Sequence, residues 1–183
     1  MFSIGGLLLC FTIVALSTET IPTLIEKGFT ESMAAMAGSL FGISSLIGNV
    51  IGGKVLDKLG SFIPMLSAGV LITIALLIME FIPDNISIGL LVPICSGLMI
   101  YAVTTGPSFM SIDVFGFKDG MKKVAKVGMF YAAGSALGAV GFAILSSNFG
   151  VKTICLILLV IALIGFILNG IAIVKSRKMF IKR

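Results

Sequence analysis

The sequence predicts an all-α polytopic membrane protein with six transmembrane helices. Composition is the first reason. The chain has 183 residues, of which 58% are hydrophobic and 11% charged, and its mean hydropathy is +1.20. A soluble domain averages about 25% charged residues. This chain cannot cover its surface with polar groups, so it needs lipid as solvent. The second reason is length: six apolar stretches each approach the roughly 20 residues that cross a bilayer core of about 30 Å. The third is charge. Lys and Arg gather at alternate ends of those stretches, the pattern that marks the cytoplasmic side.

The first span is expected at 2–25. It has no positive leader and is too long for the apolar part of a cleaved signal. Met1 opens almost directly onto it, and Glu26-Lys27-Gly28 ends it. The second span is expected at 33–55 and carries Gly38-x3-Gly42 and Gly48-x3-Gly52. Small residues at that spacing share one helix face and let helices approach closely in lipid. A charged turn, "GGKVLDKLGS" (52–61), leads to a third span at 62–82. Pro83-Asp84-Asn85 stops that helix and starts the fourth, 86–107, in which Pro93 and Pro107 are bending points. The stretch 108–122 is the one long loop. The fifth span, 123–147, carries Gly134-x3-Gly138 and closes at Asn148-Phe149-Gly150. The sixth is 151–174, followed by a basic tail, "KSRKMFIKR" (175–183).

An even number of spans puts both termini on one side. That side then holds Lys54, Lys58, Lys118, Lys122, Lys123, Lys126, Lys175, Arg177, Lys178, Lys182 and Arg183, and the other only Lys27 and Lys152. The asymmetry predicts cytoplasmic termini in a plasma-membrane protein. It also accounts for the net charge of +5 without nucleic acid, because the basic residues decorate helix ends.

A faint repeat runs through the chain at an offset of 90. Gly38/Gly128, Ser45/Ser135, Gly48/Gly138, Val50/Val140 and Gly60/Gly150 coincide. Three helices is an odd number, so the second triplet enters the membrane inverted. The expectation is one six-helix bundle over 1–183, built from inverted three-helix repeats at about 1–85 and 86–175. That is half of a common transporter architecture.

The turn at 52–61 resembles the signature loop of the major facilitator superfamily, G-x-x-x-D-(R/K)-x-G, with Gly53, Asp57, Lys58 and Gly60 at matching positions. In the family this loop latches one conformation and does not touch substrate. Asp57 at a helix end can pair with a basic group or cap a neighbouring helix. The alternative is an ordinary short turn. Ser61-Phe62 stands where the family usually has basic residues. A degraded loop, a fourth span without a membrane arginine and a basic tail resemble helices seven to twelve of a twelve-helix carrier. The stretch 113–141 is similar to the region before and within the eleventh helix of oxalate/formate antiporters and monocarboxylate transporters. Asp113, Phe115, Gly116 and Lys118 precede the helix, and Tyr131-Ala132-Ala133 opens it. Gly134 stands where oxalate/formate antiporters often carry a lysine. The resemblance implies alternating-access transport of a small organic anion, such as a monocarboxylate or dicarboxylate. The other wall would come from an N-terminal six-helix half or a second copy.

Polar groups inside a membrane protein are costly and often functional. Glu19 is the one charge well inside a span, beside Thr18, Thr20 and Pro22. It is a candidate coupling carboxylate, and its alternative is a group solvated by the outer headgroups. Asn49, Tyr101, Thr104, Thr105, Tyr131 and Ser135 are the further candidates for lining a wet cavity. For the tyrosines the alternative is packing, and for the threonines a bond back to their own helix. Asn169 is expected to be peripheral. There is no histidine, no GxSxG and no acidic pair on one helix, so an enzyme is not expected. Cys10, Cys95 and Cys155 lie singly in apolar runs, with no metal-site spacing and no cofactor expected. The competing function is a non-transporting membrane partner, a degenerate half that steadies other membrane proteins.

Overall fold

A computed structural model describes residues 2–26, 28–80, 86–149 and 151–181. Lys27, Pro83-Asp84-Asn85, Gly150, Lys182 and Arg183 lie outside them, as do the side chains of Glu80, Asn148, Lys152, Arg177 and Lys178. The described residues form α1 (Phe2–Glu26), α2 (Glu31–Leu59), α3 (Phe62–Glu80), α4 (Ile86–Gly89), α5 (Leu91–Leu98), α6 (Tyr101–Thr104), α7 (Gly106–Phe115), α8 (Phe117–Phe149) and α9 (Val151–Ile181). No strand occurs among them. Among the described residues five helices are long and apolar enough to cross a membrane, and the bent pair Leu91–Thr104 and Gly106–Phe115 makes six if it is one span. The expected all-α polytopic class is the observed one.

The ends of the first two spans follow the local chemistry. Gly28, at φ +89°, turns the chain after α1, and the Phe29 N–H returns to the Leu24 carbonyl at 3.1 Å. Thr30 then caps α2, its hydroxyl accepting from the Met33 N–H at 3.4 Å. At the far end of α2, Gly60 takes φ +70° and donates its N–H to Leu56 at 3.0 Å. A side chain would strain at that φ, so glycine is what allows the turn. Pro22 is carried inside α1 without ending the helix.

The fourth span corrects the sequence reading. It was expected as one helix over 86–107 with a loop over 108–122. The chain is instead a run of short helices from 86 to 115, bent by 45° at Thr105, and α8 starts at Phe117 rather than 123. Two physical causes act. Around Met99–Val103 several N–H groups bond three residues back (Ile100 to Gly97, Ala102 to Met99, Val103 to Ile100), which tightens and interrupts the α-helix. Pro107 then sits in the first turn of α7, where a missing N–H costs nothing. Only Gly116, at φ +79°, separates α7 from α8. The charged residues that made 108–122 look like a loop lie on helices that continue past the apolar zone.

Each span has a preferred partner. α1 lies innermost and packs chiefly against α8 and α9; α2 packs against α5, α3 against α9 and α5, and α7 against α8. The glycine pairs decide two of these contacts. A Cβ on Gly48 would sit 2.6 Å from the Leu98 carbonyl oxygen, and one on Gly138 would run into the Phe11 carbonyl. Gly134 meets Leu7 in the same way, but Gly42 has open space around it. α2 is buried along Ala34, Ala37, Ser44, Gly48, Gly52 and Leu56. α8 is buried along Val127, Tyr131, Gly134, Gly138 and Phe142. Both leave most of their remaining circumference exposed.

The turn after α2 and the end of α7 meet at one end of the bundle, where the Ser61 N–H donates to the Asp113 carboxylate at 2.8 Å. With the helices alternating in direction, Lys54, Lys58, Lys118, Lys122, Lys123, Lys126 and Lys175 share that end. Glu26 and Glu31 lie at the other.

Candidate functional site

Two of the candidate residues meet across helices. The Thr104 hydroxyl donates to Asn49 Oδ1 at 2.6 Å, and the Asn49 amide donates to the Ser45 carbonyl at 2.9 Å. Gly48, against the backbone of Gly97 and Leu98, brings α2 near enough for this bond. Asn49 lies ten residues from the end of α2, about 15 Å at 1.5 Å per residue, and about 8 Å from Lys54, so it stands inside the apolar span in the half nearer the lysine-rich end. Thr104 is the last residue before the 45° bend. The pair is therefore a partly exposed, uncharged hydrogen-bonding group inside the apolar zone, beside a broken span. Discontinuous helices inside the bilayer are where secondary carriers hold their solutes.

The other candidates bind the helices to one another or to themselves. Tyr101 is buried with its ring over Gly52; its hydroxyl donates to the Pro64 carbonyl at 2.5 Å and lies 2.7 Å from the Ser67 hydroxyl. It ties the fourth span to the third. Tyr131 is buried over Gly6, with its hydroxyl 3.6 Å from Met110 Sδ. The Thr105 hydroxyl bonds back to Tyr101 at 3.0 Å, and that of Ser135 to Ala132 at 2.9 Å and Tyr131 at 3.3 Å.

Glu19 stands apart. It is half-buried, seven residues from the end of α1, about 10 Å in depth. Asn49 lies 18 residues from the start of α2 at that same end, about 27 Å, so the two are separated by about 17 Å along the membrane normal. The hydroxyls around Glu19 return to their own helix: Ser17 to Ile13, Thr18 to Val14 and Thr20 to Leu16. A cavity of about 40 Å³ lies nearby, lined by Ser17, Thr20, Ala37, Gly38, Phe41 and Pro93.

In the signature loop, Asp57 and Lys58 are exposed at the end of α2 and Gly53 has open space around it. The helix-capping contact expected of Asp57 is made by Asp113. Its carboxylate accepts from both the N–H and the hydroxyl of Ser61, directly before α3. A carboxylate there is stabilised by the unpaired N–H groups of the first turn. A serine before an apolar run is a readable cap signal. Its partner, 52 residues later, is not.

Asn169, expected to be peripheral, is fully buried. Its amide donates to Gly165 at 3.1 Å and lies close to Gly5 of α1, while its Oδ1 has no hydrogen-bond partner. Cys10 and Cys155 are buried, and Cys95 is half-buried. Among the described residues no group of three or more His, Cys, Asp or Glu could hold a metal ion.

The family model of the Major Facilitator Superfamily matches residues 2–178 of the chain. No curated protein was found to match it. No solved structure was found to match it either.

Proposed function

The chain belongs to the major facilitator superfamily, a family of membrane transporters, and on that premise we propose that it is the C-terminal half of a secondary carrier for a small organic anion. The Asn49–Thr104 pair is the observation that most supports a solute site in this half. Thr104 Oγ1 is exposed, and its hydrogen can turn from Asn49 to a solute carboxylate. The freed Asn49 then offers its Oδ1 to a solute hydroxyl or to a protonated acid. α6 carries no cation and the nearest on α2 is Lys54, five residues after Asn49, so the facing bundle shares in matching the anion's charge. That bundle is an N-terminal six-helix half or a second copy.

Alternating access needs one element to bend while the rest move as a body. The break at Thr105 is suited to that, since a few backbone angles there swing α7 relative to α5. The Ser61–Asp113 contact ties the end of α7 to the start of α3, so those two ends move together. The pairing of α1 with α8 and of α2 with α5 supports the inverted repeat, because exchanging the triplets turns one pair into the other. The shared lysine-rich end supports cytoplasmic termini in a plasma membrane.

Uptake of labelled mono- and dicarboxylates into proteoliposomes, with the chain assembled with its second half, tests this reading. Thr104→Val and Asn49→Ala should each lower uptake roughly tenfold, and the double variant little further, as expected of one shared interaction. Glu19→Gln should abolish proton-driven accumulation while sparing exchange; unchanged accumulation removes Glu19 from coupling. If no solute moves in any twelve-helix assembly, the protein is the non-transporting partner instead.

A further inference from the structure

The first turns of α8 do not belong to the solute site, and they are longer than the membrane requires. α8 has 33 residues and is about 50 Å long, whereas a bilayer core is about 30 Å thick. The surplus lies at its start, because the polar run 117–126 precedes the apolar one. That run holds Lys118, Lys122, Lys123 and Lys126 against one acidic residue, Asp119. Lys118, Lys122 and Lys126 recur every fourth residue and share one face. All three are exposed, and no ion pair with another described residue holds them. Lys123 is engaged differently, with its Nζ 4.2 Å from the Phe115 ring centre.

An apolar row runs beside the lysines. Phe117 is 73% exposed and Met121 58% exposed, and Met129 continues the row into the span at 71%. The row runs unbroken from the helix start through Ala125 into the lipid-facing side of the span. Met129 therefore meets lipid, and the row leads from it through Met121 and Phe117 into the headgroup layer. The lysine stems can lie along that boundary with their ammonium groups raised into the headgroups. An acidic peptide or a nucleic acid would use the charges but leave Phe117 and Met121 wet.

We propose that Lys118, Lys122 and Lys126, beside Phe117 and Met121, form a binding face for anionic phospholipid. The face recognises the headgroup phosphate by charge, with Phe117 and Met121 packed in the headgroup layer. It acts independently of the transport reading, and its test reads no solute flux.

The full chain is reconstituted in phosphatidylcholine vesicles containing traces of spin-labelled phosphatidylglycerol or spin-labelled phosphatidylcholine. The fraction of each probe that is motionally restricted by the protein gives its relative affinity. Phosphatidylglycerol should be preferred by about fivefold at low salt and by less at high salt. The triple variant Lys118→Gln, Lys122→Gln, Lys126→Gln should lose most of that preference. The corresponding triple change to Arg should keep it, which separates charge from a folding defect. A control carrying Lys54→Gln, Lys58→Gln and Lys175→Gln, at the same end of the bundle, should keep more than half. Three results each overturn the proposal: a Gln triple variant as selective as wild type, a control that loses as much, or full displacement of the probe by millimolar glycerol phosphate, which would make the occupant a free phosphate.

Discussion

Single atoms decide how closely these helices approach. Gly48 has the Leu98 and Gly97 carbonyls where its Cβ would be, at 2.6 and 2.8 Å, and backbone cannot step aside as a side chain can. Gly42, on the same helix, has nothing nearby. Gly48→Ala should therefore lower stability by about 2 kcal/mol, as overpacking does, and Gly42→Ala should leave it unchanged. Thermal unfolding of both variants in detergent checks the contrast. Asn169 is the opposite case, a polar atom with no partner. Its Oδ1 is fully buried between α9 and α1 and accepts nothing. Asn169→Leu keeps the approximate volume and removes the orphan, so the same assay should show about 1 kcal/mol of added stability. Gly165 would lose only one amide donor, a bond of modest worth in a membrane interior.

At the scale of elements, the fourth span is the part that differs most from a plain helix. Its short segments, its i to i−3 bonds and its 45° bend place Thr104 where a continuous helix would not. The turn between α2 and α3 is fastened to the end of that broken span through Ser61 and Asp113. Removing the charge by Asp113→Asn should weaken both bonds and cost about 2 kcal/mol, whereas Ser61→Ala removes one and should cost about 1. Amide exchange of the first turn of α3 is the measurement, and Asp113→Asn should speed it more. Equal exchange in both variants would mean that the hydroxyl, rather than the carboxylate, carries the contact.

For the whole molecule, position along the membrane normal separates the roles. The Asn49–Thr104 pair is in the half nearer the lysine-rich end, and Glu19 is about 17 Å away toward the other end. Any coupling between Glu19 and the pair must therefore pass through the motion of α1 against α2, not through a direct bond. Crosslinking α1 to α2 near the cavity at Thr20 and Phe41, with a cysteine at each, should block accumulation and exchange together. Glu19→Gln should affect accumulation alone. If the crosslinked protein still exchanges solute, those two helices are not the moving pair.

Much of this protein follows from its sequence alone. The six apolar runs, the glycine spacings and the sidedness of the lysines depend on composition and short periods, and lipid allows few alternatives to a helix for such runs. The turn at Gly60 was legible for a similar reason, because it is local. Asn49 and Thr104 were legible as polar residues in apolar spans. Their meeting was not, since it depends on Gly48 setting the distance between α2 and the backbone of the fourth span. The packing partners of Tyr101 and Tyr131 were equally hidden, because Pro64 and Met110 come to them only through helix contact. The stretch 108–122 was misread for want of the same information. Its charges resemble a loop until the length of α8 shows them riding a helix out of the membrane. Asp113 on Ser61 and the buried Asn169 are also decisions of tertiary structure, each joining residues that no period in the chain relates.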